Sequence, residues 1–357
     1  VEPWQSKYRP RKVAELDLPE VRSRLASFLA QDNLPQALLF FGPRGSGKTS
    51  AARIVARSLN CLKREGIEPC GDCSVCRGIE KGSCLDVVEI DAASNRGIDD
   101  IRRIKEKASL APMGVVWKVY VIDEVHMLTK EAFNALLKLL EEPPKKVIFI
   151  LCTTESQKIP ETVLSRLYQI PFRKAKKEEV LASLEKVVKE EGLAVEREVL
   201  EEIAVGVDGS FRDAKKLLTQ VAMEGRQKGK INREDLEQVM EGQGLGQERE
   251  FWELFKNDER VKVLDFLTKL NSNGVDMAHF REKLLQQAQE FLLEAGEKQS
   301  LFLWVKCLLQ AAEWERQTLL ADLPLQLALL DFWAGGEKKA KEGKVEEKEK
   351  GKAEEVS

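Results

Sequence analysis

Eight consecutive residues, Gly42-Pro43-Arg44-Gly45-Ser46-Gly47-Lys48-Thr49, limit what this chain can fold into more than any other stretch. An apolar run, Ala37 to Phe41, precedes them and reads as a buried parallel strand. An alanine-rich segment, Ser50 to Asn60, follows and reads as a helix. Strand, glycine loop and helix in that order predict an α/β domain with a parallel sheet flanked by helices. The glycines let successive backbone N–H groups turn inward around an anion, and the positive end of the helix points at the same place. Lys48 is then placed to reach the β- and γ-phosphates of a nucleotide and Thr49 to hold Mg²⁺, with Ser50 joining the cradle at the helix start. The alternative is a glycine-rich turn that binds nothing. The lysine, the threonine and both flanking elements argue against it.

At 357 residues the chain is too long for one small core, and two or three domains are expected. The net charge of -3 conceals both signs in abundance, so a nucleic-acid partner would have to meet a local basic surface. No secretory pattern opens the sequence, and the longest apolar run, Leu301 to Leu309, is interrupted by Lys306 and too short to span a bilayer. A cytoplasmic protein is expected. In a reducing compartment its seven cysteines are metal ligands or small buried side chains rather than disulfides.

Four of those cysteines are grouped. Cys61 is followed by Cys70, Cys73 and Cys76, the last three at intervals of three in a loop containing Gly71. This spacing brings four thiolates together in a tetrahedral shell that suits zinc. With every position filled by sulfur there is no place for a reactive water, so the expected role is structural, a clamp near 61–76. Cys84, Cys152 and Cys307 are isolated and read as packing residues.

Further strands are expected at Leu85 to Ile90, Lys118 to Ile122 and Val147 to Leu151. The second of these ends in Asp123-Glu124, and two carboxylates at a strand tip divide the labour. Asp123 accepts Mg²⁺ or its water, and Glu124 polarises the water that attacks the γ-phosphate. His126 reads as a partly buried structural residue. The third strand runs into Thr153-Thr154, which places a hydroxyl between the two nucleotide-handling strand tips. Between Asp91 and Lys107, a helix with Ile98, Ile101 and Ile104 inward carries Arg102, Arg103, Lys105 and Lys107 on its other face. That face either meets a phosphate backbone or is simply solvated. A helix over Thr129 to Glu142 is stopped by Pro143-Pro144. Arg166 ends a short helix opened by Pro160 and has no evident local carboxylate, a hint that it serves another molecule. The segment Trp4 to Lys12, with Tyr8-Arg9-Pro10, either folds back over a bound base or is an untethered arm.

The fragments Gly42 to Thr49, Asp91-Ala-Ala-Ser-Asn-Arg96-Gly97, Asp123-Glu-Val-His-Met127, Leu137-Lys-Leu-Leu-Glu-Glu-Pro143-Pro144 and Ser165-Arg166 resemble those of the AAA+ clamp-loader ATPases. With the four-cysteine insertion, the chain is similar to the gamma/tau subunits of bacterial DNA polymerase III. The likeness is dense from Trp4 to Gly242 and looser beyond. It implies ATP hydrolysis within a ring of five subunits (delta, delta-prime and further gamma/tau copies) that opens the beta sliding clamp and places it on primed DNA. Such a subunit belongs to a polymerase holoenzyme but has no polymerase site of its own. The resemblance further implies that Thr154 senses the nucleotide, that Arg166 enters the neighbouring subunit's ATP site, and that Arg212 contacts the phosphates from a lid. It also implies that Tyr8, Arg9 and Pro10 contact the adenine. Leu167 stands where that family usually has cysteine, which changes packing beneath Arg166 and leaves the chemistry alone.

The expected organisation is an AAA+ nucleotide-binding domain over 1–173, a helical lid over 174–242, a helical collar over 243–334 and a disordered charged tail over 335–357. The collar region is rich in Phe251, Trp252, Phe255, Phe266, Phe291, Phe302, Trp304, Trp314, Phe332 and Trp333 and otherwise reads as a helical-bundle core. Intact Lys48-Thr49 and Asp123-Glu124 argue against a non-hydrolysing scaffold of the same architecture. The cysteine insertion and the placement of Ser165-Arg166 argue against a branch-migration or helicase-loading motor.

Overall fold

Among the residues that the computed structural model describes (3–225, 230–243, 247–295, 299–315, 318 and 320–334), five strands form one sheet. They are β1 (Ala37–Phe41), β2 (Val87–Asp91), β3 (Lys118–Asp123), β4 (Val147–Thr153) and β5 (Tyr168–Pro171), in the order β2-β3-β4-β1-β5, with every pairing parallel. Because β3 and β4 are buried on both faces, they read as continuous apolar runs, as parallel strands between helix layers do.

The helices that accompany these strands in the chain are α1 (Trp4–Lys7), α2 (Pro19–Leu29), α3 (Lys48–Asn60), α4 (Ser74–Glu80), α5 (Ile98–Ala108), α6 (Lys130–Glu141) and α7 (Glu161–Leu164); α4 packs on α3. Leu39, Tyr120, Ile122, Phe149 and Leu151 face Ile101 and Ile104 of α5, Phe133 and Leu136 of α6 and Val163 of α7 in one core. α3 lies against β3 and β4, and α2 against β5. The parallel arrangement puts the C-terminal tips of β3, β4 and β1 side by side, which is where open α/β sheets hold ligands.

Some boundaries differ from the sequence reading. The phosphate-loop helix begins at Lys48, not Ser50, and the first long helix, which the sequence places at Val21 to Ala30, begins at Pro19, where a missing N–H costs nothing. β2 starts at Val87 because Asp86 turns its carboxylate to the N–H groups of Met113 and Gly114, at 2.8 and 3.2 Å, leaving Leu85 exposed. Edge strand β5 and helix α4, inside the cysteine segment, were not expected.

The chain divides into two compact units, Val1–Asp235 and Leu236–Ser357. The first also holds α8 (Lys177–Glu191), α9 (Arg197–Gly206) and α10 (Phe211–Gly225), packed through Val180, Leu184, Ile203, Leu217, Leu218 and Val221. α1 packs on α10 and buries Trp4, so the N-terminal segment is tethered. Tyr8 and Lys7 both donate to Glu191, at 2.9 and 2.6 Å, and Lys215 donates to the Tyr8 carbonyl at 3.2 Å.

The division falls within α11 (Arg233–Gln243). Beyond it α12 (Gln247–Lys256), α13 (Arg260–Ser272), α14 (Met277–Ala295), α15 (Gln299–Trp314) and a helix over 323–334 build a separate core. Phe251, Trp252, Phe255, Trp304, Phe332 and Trp333 stack together there, with Phe255 and Trp304 at 4.5 Å between ring centroids. The 335–357 tail and the side chains of Phe291 and Phe302 lie outside the described residues. No helix among the described residues is long and apolar enough to cross a membrane.

Candidate nucleotide site and cysteine metal centre

β1 ends in the glycine loop, and two glycines there have no substitute. Gly42 has φ +145°, and a Cβ on it would fall 1.8 Å from the carbonyl oxygen of Phe172; Gly45 has φ +75°, and its Cβ would fall 2.0 Å from Ser210 Oγ. Both positions need a residue without a side chain. Lys48 begins α3 and is buried, its ammonium donating to the Gly42 and Pro43 carbonyls at 2.8 and 2.9 Å. Burial lowers its pKa, opposed by Cys152, Glu124 and Asp123 nearby.

At the tip of β3, Asp123 Oδ2 accepts the Thr49 hydroxyl at 2.7 Å. A hydroxyl and a carboxylate converging from two elements form an all-oxygen donor pair, which suits Mg²⁺. Glu124 follows in a left-handed conformation, φ 47° and ψ 45°, which is costly for a residue with a Cβ and turns its carboxylate toward β4. There Glu124 Oε2 accepts the Thr154 hydroxyl at 3.1 Å. The structure therefore joins Thr49 to Asp123 and Glu124 to Thr154 across neighbouring tips.

His126 is partly buried, as expected, and it also stands beside Glu124. It shares a hydrogen bond with Thr153 Oγ1 at 2.9 Å and lies 3.2 Å from Glu155 and 3.4 Å from Glu124. Cys152 is fully buried in β4, consistent with packing.

The cleft beside the loop is lined by Gly45, Ser46, Gly47, Thr49 and Ser50 on one side and by Tyr8, Arg9, Pro10, Leu16, Leu18 and Val21 on the other, with Phe172, Arg212 and Lys215 closing it. One end is polar backbone and cations, suited to phosphates. The other brings the apolar surfaces of Tyr8, Pro10, Leu16, Leu18 and Val21 together beside Arg9 and Asp17, and those surfaces suit a flat base. Burial lowers the pKa of Arg9, and Arg53, Arg212 and Arg57 add to this against the opposing effect of Glu89. Of these, Arg9 and Arg212 line the cleft together with Lys215, while Arg53 is paired with Glu89.

Arg44 is exposed on the outer side of the loop. Arg166 does not line the cleft. It is exposed and, against the sequence expectation, has a carboxylate partner: Glu141 accepts from it at 2.7 Å, brought from the end of α6 across 25 residues of chain. Leu167 beneath it is buried in the core with Val163 and Leu164. Arg53, Phe172 and Lys215 were missed in the sequence. Lys215 carried a readable signal, since it follows Arg212 by three positions and so shares its helix face.

The sulfurs of Cys61, Cys70, Cys73 and Cys76 all lie within 4.8 Å of one another. A tetrahedral zinc with bonds of about 2.3 Å would need them about 3.8 Å apart. The donor set fits with small adjustments. The N–H groups of Cys70, Cys73 and Cys76 point at the sulfurs of Cys61, Cys70 and Cys73 at 3.2, 3.4 and 3.4 Å; backbone N–H groups hold the Cys70 thiol below its ordinary value, and burial pushes that of Cys76 up.

Several known proteins resemble this chain. A family model described as "DNA polymerase III, delta subunit" matches residues 18–176. "DNA polymerase III subunit gamma" of Buchnera aphidicola is 35% identical over 306 residues, covering 84% of this chain and 82% of that protein. "DNA polymerase III subunit tau" of Bacillus subtilis is 49% identical over 214 residues, covering 60% of this chain and 38% of that one. "DNA polymerase III subunit gamma/tau" of Mycoplasma genitalium is 37% identical over 282 residues, 79% and 47% of the two chains. The chain thus spans well under two thirds of the length of these last two relatives. Among solved structures, the Thermotoga maritima RuvB Holliday junction branch migration motor covers 75% of this chain and 86% of its own at TM-score 0.52 and 18% identity, a likeness of fold.

Proposed function

Because the chain belongs to the DNA polymerase III gamma/tau family, we propose that it is the ATP-hydrolysing motor subunit of a bacterial clamp loader, which opens the sliding clamp and loads it onto primed DNA. Its work is cytoplasmic, beside delta, delta-prime and further gamma/tau copies in a five-subunit ring. The observation that carries the hydrolytic part is the pair of contacts at adjacent strand tips, Thr49 with Asp123 and Glu124 with Thr154.

Backbone N–H groups of the glycine loop hold the phosphates, and Lys48 leaves the Gly42 and Pro43 carbonyls to reach the β- and γ-oxygens. Thr49 and Asp123 are the residues that would hold Mg²⁺, which when bound neutralises charge on those oxygens. Glu124 accepts a hydrogen bond from the attacking water and takes a proton from it as the water oxygen bonds the γ-phosphorus and the bond to the ADP leaving group breaks. Thr154 holds the Glu124 carboxylate until γ-phosphate competes for the same hydroxyl. Tyr8, Arg9 and Pro10 form the base side of the cleft. Arg212 ties nucleotide state to the angle of the helical lid, 174–242, and Arg166 acts on the neighbouring subunit's ATP. The helices after 243 form the collar that holds the ring together, and the four cysteines bind a structural zinc.

The test is steady-state ATP turnover by this chain, alone and reconstituted with the other loader subunits, each with and without clamp and primed DNA. Strong stimulation only in the complete mixture is expected, and Lys48→Ala should abolish ATP binding. Equal turnover in every mixture, or unchanged nucleotide affinity in Lys48→Ala, overturns the proposal.

A further inference from the structure

The cysteine segment reaches beyond its own loop. Glu68, between Cys61 and Cys70, accepts the backbone N–H of Val13 through Oε2 at 2.8 Å and that of Ala14 through Oε1 at 2.9 Å. Glu80, the last residue of α4, pairs with Arg11 at 2.7 Å. Val13–Glu15 is a single helical turn whose leading N–H groups have no partner inside the turn. A carboxylate spanning two of them is a charge-assisted cap that fixes the direction of the chain on both sides. Two residues ahead of this turn stand Tyr8, Arg9 and Pro10, and just after it Leu16 and Leu18, which all line the base side of the cleft.

The loop that carries Glu68 is itself anchored. Arg64 donates to the carbonyls of Ser58 and Leu29, at 3.3 and 3.0 Å, in the last turns of α3 and α2. The phosphate end of the cleft is positioned by β1 and by the start of α3, at the opposite end of that helix from Ser58 and Cys61.

We propose that the four-cysteine module is a brace for the base-side wall of the nucleotide cleft, and that Glu68 is the positioning residue through which it acts. This rests on reading the cleft as an ATP site. Sulfur ligation at Cys61 and Cys70 closes the loop around Glu68 and narrows the conformations open to it. A carboxylate held in place orders Val13 and Ala14 before ligand arrives, so base binding does not bear the entropy of ordering that wall. Loss of the brace should therefore weaken recognition of the base and spare the grip on the phosphates.

Glu68→Ala and Glu68→Gln in the full chain test this, with zinc content and thermal melting recorded for each. Binding is read by displacement of a fluorescent ATP analogue, once with ATP and once with inorganic tripolyphosphate, which has the phosphates and no base. Glu68→Ala should weaken ATP about 10-fold, roughly 1.4 kcal/mol, with tripolyphosphate affinity and zinc content unchanged. Glu68→Gln, which keeps one acceptor oxygen, should fall between. In turnover the KM for ATP should rise while kcat holds, and stripping zinc with a chelator should give the same signature without adding to that of Glu68→Ala. ATP and tripolyphosphate weakening together would mean general damage to the domain, and neither weakening would mean no brace; both overturn the inference. Failure of the underlying nucleotide reading looks different, because then the unaltered chain would bind neither ligand.

Discussion

Gly45→Ala offers a quantitative check on how the glycine loop and the helical segment fit together. A methyl group at this position would sit 2.0 Å from Ser210 Oγ and 2.9 Å from Ser210 Cβ, so Ser210 must turn away. Its hydroxyl is engaged at the start of α10, accepting the Asp213 N–H at 3.2 Å and donating to the Asp213 carboxylate at 2.5 Å. Losing that N-terminal cap costs about 1 kcal/mol. Holding alanine at φ +75° costs about 1–2 kcal/mol more. The sum is a destabilisation of about 2–3 kcal/mol, measurable by urea unfolding. Arg212 lies in the same turn of α10, so ATP affinity should fall with it. Ser210→Gly removes the obstructing atoms and, since glycine is a tolerable cap, costs only a few tenths of a kcal/mol alone. The double variant should then be about 1 kcal/mol more stable than the two single effects predict, the surplus measuring the clash. Strict additivity, or a Gly45→Ala effect below about 0.5 kcal/mol, would refute the reasoning.

Three other outcomes follow from the same geometry. Arg166→Ala removes an exposed pair with Glu141, so stability should change by no more than about 1 kcal/mol and ATP binding should persist. Turnover of the assembled ring should fall on the order of 10³-fold; equal turnover by variant and parent rings would discard the trans role. Chelating zinc should leave kcat at saturating ATP within about two-fold, because a shell of four sulfurs offers no reactive water, and a collapse of kcat in a folded chain would contradict a structural metal. Arg173 donates to Glu179 at 2.7 and 2.6 Å, and chiefly this contact holds the Glu179 carboxyl below its ordinary value. The resulting stability is complete above about pH 4.3 and is lost as pH falls through the lower folded value, so the acid limb of the stability curve should flatten in Glu179→Gln, and an unchanged limb would deny the pair any role there.

The strands β1, β3 and β4 were legible because burial on both faces leaves unbroken apolar runs, and the residues that end them carry chemistry that is rare elsewhere. A hydroxyl between the other tips could be placed from sequence because Thr153-Thr154 closes such a run, while it was the family resemblance that singled out Thr154. β5 escaped notice since Tyr168 to Pro171 is too short to show a period, and it owes its place to pairing with β1. α4 was hidden by the cysteines, whose spacing suggests a loop although Cys73 also serves as the cap of that helix. The partner of Arg166 was invisible because Glu141 is near it only after α6 and α7 have packed. Glu68 carries no signal in the sequence. Its partners are backbone N–H groups 54 and 55 residues away, which no side-chain pattern announces.

On the proposed role of Glu124 in hydrolysis, its left-handed backbone sets selection for durability against selection for turnover. Asparagine and glycine adopt that conformation at less cost than glutamate, which there stores on the order of 1–3 kcal/mol. A library randomised at this position and sorted only for heat tolerance should therefore drift toward residues that cannot polarise water. Sorted for ATP turnover, it should return to glutamate. An enzyme lineage relieved of the need to hydrolyse would be expected to lose this carboxylate early, and to become sturdier as it did so.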